Sequence, residues 1–289
     1  MDISKPEMSY SRASWPRMYV GEVAIDLVNQ EFALSLISDA LCASDPLAVE
    51  SANLQHISLF AADTSLASRT PAATTSGEGS GLRWLTLLDG VPLVRRANAL
   101  TGRAWPKLSG SDLIEPVLQR AIAHGARVGF LGGTVSTHRQ LRNTVTVRFP
   151  DLKLAGTWAP ERWELSDAAA CERIAAEIRA NAVDILVVAL GKPRQERWIA
   201  DYAASTAARV FLAFGATVDF LAGTIPRAPR WVGAVGAEWA WRLVLEPKRL
   251  GRRYLIDGPP AYLQIRRWAR VDEILTMEPE DQGVEQVWG

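Results

Sequence analysis

An α/β fold built on a mostly parallel sheet is what this sequence predicts, and three observations predict it. From about residue 111 to residue 214, short apolar strand-like runs alternate with amphipathic helical stretches, the pattern of βαβ units. The run Val183–Leu190 (VDILVVAL) is strongly β-branched, as a strand covered by helices on both faces requires. Beyond Trp231 the alternation stops, and Trp, Leu and Arg mingle in segments interrupted by Pro247 and Gly251. That last region predicts short helices forming a C-terminal appendage.

In chain order, residues 1–17 are polar and read as a loose N-terminus. MYVGEVAI (18–25) reads as a strand and NQEFALSLISDAL (29–41) as an amphipathic helix. HISLFA (56–61) is a second strand candidate. TPAATTSGEGSG (70–81) is rich in Gly, Ser, Thr and Pro and reads as a flexible loop. LRWLTLL (82–88) is a strand ending at Asp89-Gly90. SDLIEPVLQRAIAHG (111–125) is a helix, with Ser111 as N-cap and Gly125 as its stop. ARVGFL (126–131) is a buried strand running into Gly132-Gly133-Thr134, and a helix follows to about Phe149. DLKLAGTW (151–158) is a strand and LSDAAACERIAAEIRAN (165–181) a helix. The helix PRQERWIADYAAS (193–205) and the strand ARVFLAF (208–214) close the alternating region. Domain boundaries follow as 18–230 for the core and 231–289 for the appendage.

Composition narrows the function. The 289 residues, 48% hydrophobic and 22% charged, can bury a sizeable core. Net charge is zero, but it is unevenly spread. Arg227–Arg270 carries ten basic residues against three acidic ones, and Val271–Gly289 carries six acids and no base. Such asymmetry points to an anionic partner for the basic block; the alternative is that block and tail neutralise each other on a solvated face. Arg beside Trp and Leu suits a membrane surface bearing phosphate, since cations meet the phosphate while apolar groups rest in the interface. Arg242, Arg249, Arg252 and Arg253 are the candidate residues for that contact. No apolar run approaches the roughly 20 residues of a membrane span, and the N-terminus lacks an apolar signal core. The expectation is a cytoplasmic protein, peripheral on the membrane, with no nucleic-acid partner. Cys42 and Cys171 are far apart and without metal-ligand spacing, so neither a disulfide framework nor a zinc site is expected. His56, His124 and His138 are scattered and receive no role.

Ligands of open parallel sheets bind at the carboxyl ends of the strands. That rule selects Asp89, the Gly132-Gly133 turn, Gly191 to Gln195, and Gly215 to Asp219. Gly132 and Gly133 allow backbone N–H groups to approach a phosphate at a helix N-terminus, although Gly pairs also occur in βα turns without ligands. No Gly-Lys-Ser/Thr follows them, and the G-x-G-x-x-G spacing of dinucleotide sites is missing. Asp89 can take a proton from a hydroxyl nucleophile, or it can be a plain Asp-Gly turn.

Six ordered motifs carry more. GSDL (110–113), FLGG (130–133), GKPRQERW (191–198), VDFLAG (218–223), RAPRW (227–231) and EWAWRLVLEPKRLGRRYL (238–255) occur in this order. Together they resemble the WecG/TagA/CpsF family of bacterial glycosyltransferases over roughly Met18–Tyr262. The resemblance implies a Rossmann-like core and a C-terminal appendage. It also implies inverting, metal-free transfer from a UDP-sugar to a polyprenyl-diphosphate-linked glycan at the inner membrane face, in cell-surface or exopolysaccharide synthesis. It assigns the base to Asp89 and substrate binding to Ser58, Lys107, Ser111, Asp112, Gln195 and Asp219, with Gly132 and Gly133 in the cleft. Departures accompany it. The family's Thr-x-Asn pair aligns with Ser58 and Phe60, and Phe cannot replace an amide's hydrogen bonds. Lys107 stands where Arg is usual before GSDL, losing a bidentate fork. Val218 replaces Phe, and the segment before Asp89 is Gly/Ser-rich where a helix is usual. Two rival readings remain: a non-catalytic homologue that binds polyprenyl phosphate or a partner enzyme, and a dinucleotide-dependent oxidoreductase.

Overall fold

The computed structural model describes residues 15–61, 81–224, 238–245 and 247–272. Among the described residues, nine strands form one sheet: β1 (Arg17–Val20), β2 (Val23–Asp26), β3 (Leu47–Ala52), β4 (Arg83–Leu88), β5 (Arg127–Gly132), β6 (Lys153–Trp158), β7 (Ile185–Ala189), β8 (Val210–Ala213) and β9 (Ala269–Val271). Their spatial order is β6-β5-β7-β8-β3-β4-β2-β1-β9. The pairs from β6 through to β2 are parallel; β1 is antiparallel to both β2 and β9. The α/β expectation holds, with an antiparallel edge added.

The helices are α1 (Gln30–Cys42), α2 (Leu54–Phe60), α3 (Val91–Thr101), α4 (Gly110–Ala123), α5 (Val135–Arg148), α6 (Ala168–Ala180), α7 (Arg194–Thr206), α8 (Thr217–Leu221), α9 (Glu238–Leu245), α10 (Pro247–Arg252) and α11 (Gly258–Trp268). Alternation within each strand feeds two cores. Val49, Val187 and Leu212 face one layer with Ile37 of α1, Val117 of α4 and Leu141 of α5. Their neighbours Ala48, Val188 and Phe211 face the other with Ile178 of α6 and Ile199 of α7. Both faces of β7 are therefore buried, which is why its sequence is apolar without interruption. A third core gathers Met18 and Ile25 of the β1–β2 hairpin, Phe60 of α2, Leu93 of α3 and Ile265 of α11.

Several expected elements change. MYVGEVAI is not one strand but the hairpin β1–β2, turning at Gly21, whose φ of +59° favours glycine. HISLFA is not a strand but most of α2; its apolar run is short enough to suit either element. Asn53 decides for the helix by accepting the His56 N–H as N-cap. The second parallel strand is β3, LAVESA, one segment earlier and wholly buried. Helix α3 was not foreseen. The N-cap of α4 is Ser109, not Ser111. Gly251 lies inside α10 rather than breaking it, and a π-helical turn, Arg253–Asp257, follows.

The boundary at residue 231 also shifts in meaning. Helix α11 packs on α2 and α3, and β9 extends the sheet beyond β1. Residues 258–271 thus complete the third core. The Gly/Ser-rich stretch through residue 80, the RAPRW motif and the acidic tail from residue 273 lie outside the described residues. Among described residues, no helix is long and apolar enough to cross a membrane.

Candidate active site

The carboxyl ends of the central strands converge through tight contacts. Asp89 follows β4, half-buried, and its N–H donates to the Ala52 carbonyl of β3 at 2.9 Å. Asn53 Nδ2 donates to Asp89 Oδ2 at 3.4 Å. The Leu108 N–H donates to the Leu88 carbonyl at 2.7 Å, which lays the loop before α4 beside Asp89. A Cβ on Gly110 would lie 2.5 Å from the Phe214 ring, so only glycine lets the first turn of α4 seat on the end of β8. There Ser109 Oγ caps the Asp112 N–H, meets Ser111 Oγ at 2.9 Å and donates to Asp112 Oδ2 at 2.6 Å. Lys107 Nζ lies 3.9 Å from the same Asp112 oxygen. The candidates Lys107, Ser111 and Asp112 therefore share one patch.

Gly132 ends β5 with φ +101°, and a Cβ there would sit 2.5 Å from the Ala189 carbonyl oxygen of β7. The Gly132 carbonyl is 2.6 Å from buried His138 Nε2. Burial pushes the His138 pKa down, the Gly132 bond opposing this and Arg142 adding to it. Gly133 faces Val218, beside Asp219 in the short helix α8. Thr134 caps α5 by accepting the Thr137 N–H. The N-termini of α4 and α5 are thus both capped at this edge of the sheet. Such termini favour anions.

Ser58 does not join this edge. It is exposed on α2, and Phe60 is buried against His56, with ring centroids 4.4 Å apart. The Ser-x-Asn pair at the carboxyl end of β3 is Ser51 and Asn53. Of this pair, Asn53 reaches the Asp89 carboxylate, while Ser51 lies in register with Leu87 of β4. Gln195 stands between the loop after β7 and the carboxyl end of β8. It is buried; both its amide hydrogens are spent on the Ala213 carbonyl (2.7 Å) and Glu196 Oε1 (2.9 Å), and its oxygen accepts the Gly191 N–H (3.2 Å). Gln195 shapes the Gly191 loop from beneath.

Sequence reasoning missed the groups under this floor. Glu50 of β3, His56 of α2, Thr86 of β4, and Lys192 and Glu196 around the start of α7 meet in one buried cluster. Lys192 Nζ is 2.9 Å from both His56 Nδ1 and Glu196 Oε1. Thr86 Oγ1 donates to Glu50 Oε1 at 3.0 Å, and His56 Nε2 stands 3.6 Å from that oxygen. Burial pushes the Glu50 carboxyl up to about 7, Glu196 reinforcing this and Lys192 opposing it. Burial drives His56 well below its ordinary value, and the Lys192 charge adds to that. The spacing signal was weak, because 136 residues separate His56 from Lys192. Glu50, His56 and Glu196 also present three ligand atoms within 4.8 Å of one another, but the Lys192 ammonium already stands among them.

In the C-terminal segment, Arg252 is 81% exposed, 3.9 Å from Asp257. The side chains of Arg242, Arg249 and Arg253 lie outside the described residues. Val244, Leu255, Ile256, Leu263 and Trp268 are exposed along the same segment.

The model of the family described as "Glycosyl transferase WecG/TagA/CpsF family" matches residues 18–273. A relative from Bacillus subtilis (strain 168) is named N-acetylglucosaminyldiphosphoundecaprenol N-acetyl-beta-D-mannosaminyltransferase. It is 26% identical over 203 residues, 70% of this chain and 75% of the relative.

Proposed function

The chain belongs to the WecG/TagA/CpsF family of glycosyltransferases, and from that premise we propose that it moves a sugar from a UDP-sugar to a polyprenyl-diphosphate-linked acceptor, with inversion. The observation that carries this reading is Asp89 at the carboxyl end of β4, with Asn53 on one of its oxygens. Asp89 removes the proton from the acceptor hydroxyl, and the oxygen attacks the anomeric carbon of the donor. The bond to UDP breaks on the opposite face, so one displacement inverts the centre. Negative charge on the leaving diphosphate is met by the backbone N–H groups at the starts of α4 and α5 and by basic side chains. In this reading Lys107, Ser111, Asp112, Gly132, Gly133, Gln195 and Asp219 bind the substrates, and no metal takes part.

The relative's name supplies the first acceptor to try, an N-acetylglucosaminyl-diphospho-undecaprenol. Exposed Leu255 and Ile256 beside Arg252 support contact with the leaflet that holds such a lipid. The reading places the protein on the inner face of the cell membrane. The test supplies that acceptor in anionic vesicles with a panel of UDP-sugars, and follows UDP release together with the anomeric configuration of the product. UDP release and an inverted glycolipid are expected with one donor. A product of retained configuration, or no transfer from any donor while UDP still binds, overturns the proposal.

The alternative of a non-catalytic homologue rested on the lost Thr-x-Asn pair. Such a homologue would release no UDP in the same assay while still binding the vesicles.

A further inference from the structure

We propose that Lys192, held among His56, Glu196 and Glu50, is a positioning residue that locks the start of α2 to the Gly191 loop and so keeps Asn53 on the Asp89 carboxylate. This rests on Asp89 being the base. The path is continuous. Lys192 Nζ donates to His56 Nδ1 at 2.9 Å, which leaves the ring's hydrogen on Nε2, toward Glu50. The His56 backbone N–H donates to Asn53 Oδ1 at 3.2 Å, and the same amide's nitrogen donates to Asp89 Oδ2 at 3.4 Å. One side-chain amide thus answers to the clamped first turn of α2 on one side and to the base on the other. Phe60 stacks on the His56 ring and fixes its plane.

Stability does not account for the cluster. Lys192, Glu196, Glu50 and His56 are all nearly buried, and Glu50 Oε2 and Glu196 Oε2 have no hydrogen-bond partner. Burying the Lys192 and Glu196 charges sacrifices their hydration, and well-packed apolar groups of similar volume often do as well or better. What the cluster supplies is geometry. Through Glu50, Thr86, Gln195 and Lys192 it joins β3, β4, the end of β8 and the loop after β7, the four central strands whose ends carry the proposed site. A divalent cation drawn to the same three ligand atoms would have to displace the ammonium that completes the path.

The experiment is a double-mutant cycle in the full chain with Lys192→Met and Asn53→Ala, alongside Asp89→Asn. Lys192→Met is expected to leave the donor KM within about threefold of wild type and to lower kcat by about tenfold or more, as misplacement of a reacting group does. It should also move the acidic limb of the kcat–pH profile. Asn53→Ala should do the same, and the double variant should be no worse than either single one, since both break one path. If the single Lys192 variant does not fold, Lys192→Met with Glu196→Gln removes both charges together and carries the same readouts. Wild-type kcat and pH profile in the Lys192 variant, additive effects in the cycle, or a stoichiometric divalent metal in the native protein would each overturn the proposal. If Asp89→Asn retains turnover while Lys192 and Asn53 still couple, the base has been misassigned and the proposal falls with it. If Asp89→Asn abolishes turnover and Lys192→Met does not, only the positioning role falls.

Discussion

Asp89 and Asn53 meet at 3.4 Å, and the chemistry of that pair can be tested at a single atom. Asn at position 89 keeps the shape but cannot accept the proton. Asp89→Asn should lower turnover by at least about a hundredfold while UDP binding persists; turnover within a few-fold of wild type would remove Asp89 from the role. Glu50 and His56 make a second expectation, in stability against pH. Glu50 rises in the folded protein from the ordinary 4.5 to about 7. Its contribution is therefore full below 4.5 and is lost as pH rises through about 7. His56 is lowered from 6.5, so its contribution is present above 6.5 and is lost as pH falls toward its folded value. The two oppose each other across this window. Glu50→Gln removes only the first, so the variant's melting temperature relative to wild type should climb between about pH 5 and pH 8. Parallel curves for the two proteins would count against the buried ionisable Glu50.

Elements bring such residues to their places, and the C-terminal elements do so in two ways. Helices α9 and α10 carry exposed Val244 and Arg252, and the π-helical turn adds Leu255 and Ile256. Each cation near an anionic leaflet contributes about 1 kcal/mol, so three reversed charges are enough to release the protein. Replacing Arg249, Arg252 and Arg253 with Glu should abolish vesicle flotation and transfer to lipid acceptors, while UDP binding remains. Wild-type flotation should weaken with salt. A triple variant that still floats would move the membrane contact elsewhere. Helix α11 and β9 act differently, because Ala261, Ile265 and Ala269 are buried in the third core. Ending the chain after Asp257 should lower the melting temperature by about 5 °C or more, or prevent folding. An unchanged melt would show that residues 258–271 are dispensable to the core.

For the whole molecule, the sheet order places β3, β4, β7 and β8 side by side although they come from distant parts of the chain. The carboxyl ends of these strands, together with that of β5, form one edge, and helix N-termini and cations on that edge are proposed to do what a divalent ion does elsewhere at a leaving diphosphate. Transfer should accordingly survive a chelator. Complete loss, restored by magnesium or manganese, would require a metal.

The amino-acid sequence by itself determined the alternating α/β pattern, because buried parallel strands such as Ile185–Ala189 must be apolar on both faces. It also determined the motifs, since Gly110 and Gly132 stand where no Cβ fits and glycine is legible in any sequence. It selected Asp89 and the strand-end glycines through the rule that ligands bind at carboxyl ends. Tertiary structure alone decided three things. It placed the second parallel strand at Leu47–Ala52 and not at HISLFA, because the Asn53 cap and the packing of Phe60 outweigh a short apolar run that fits either element. It thereby put Asn53, not Ser58, beside Asp89. It returned residues 269–271 to the sheet edge. It also gathered Glu50, His56, Lys192 and Glu196 under the floor of the site. Their meeting depends on the crossover of strands and on which side each residue faces, and no local spacing encodes either.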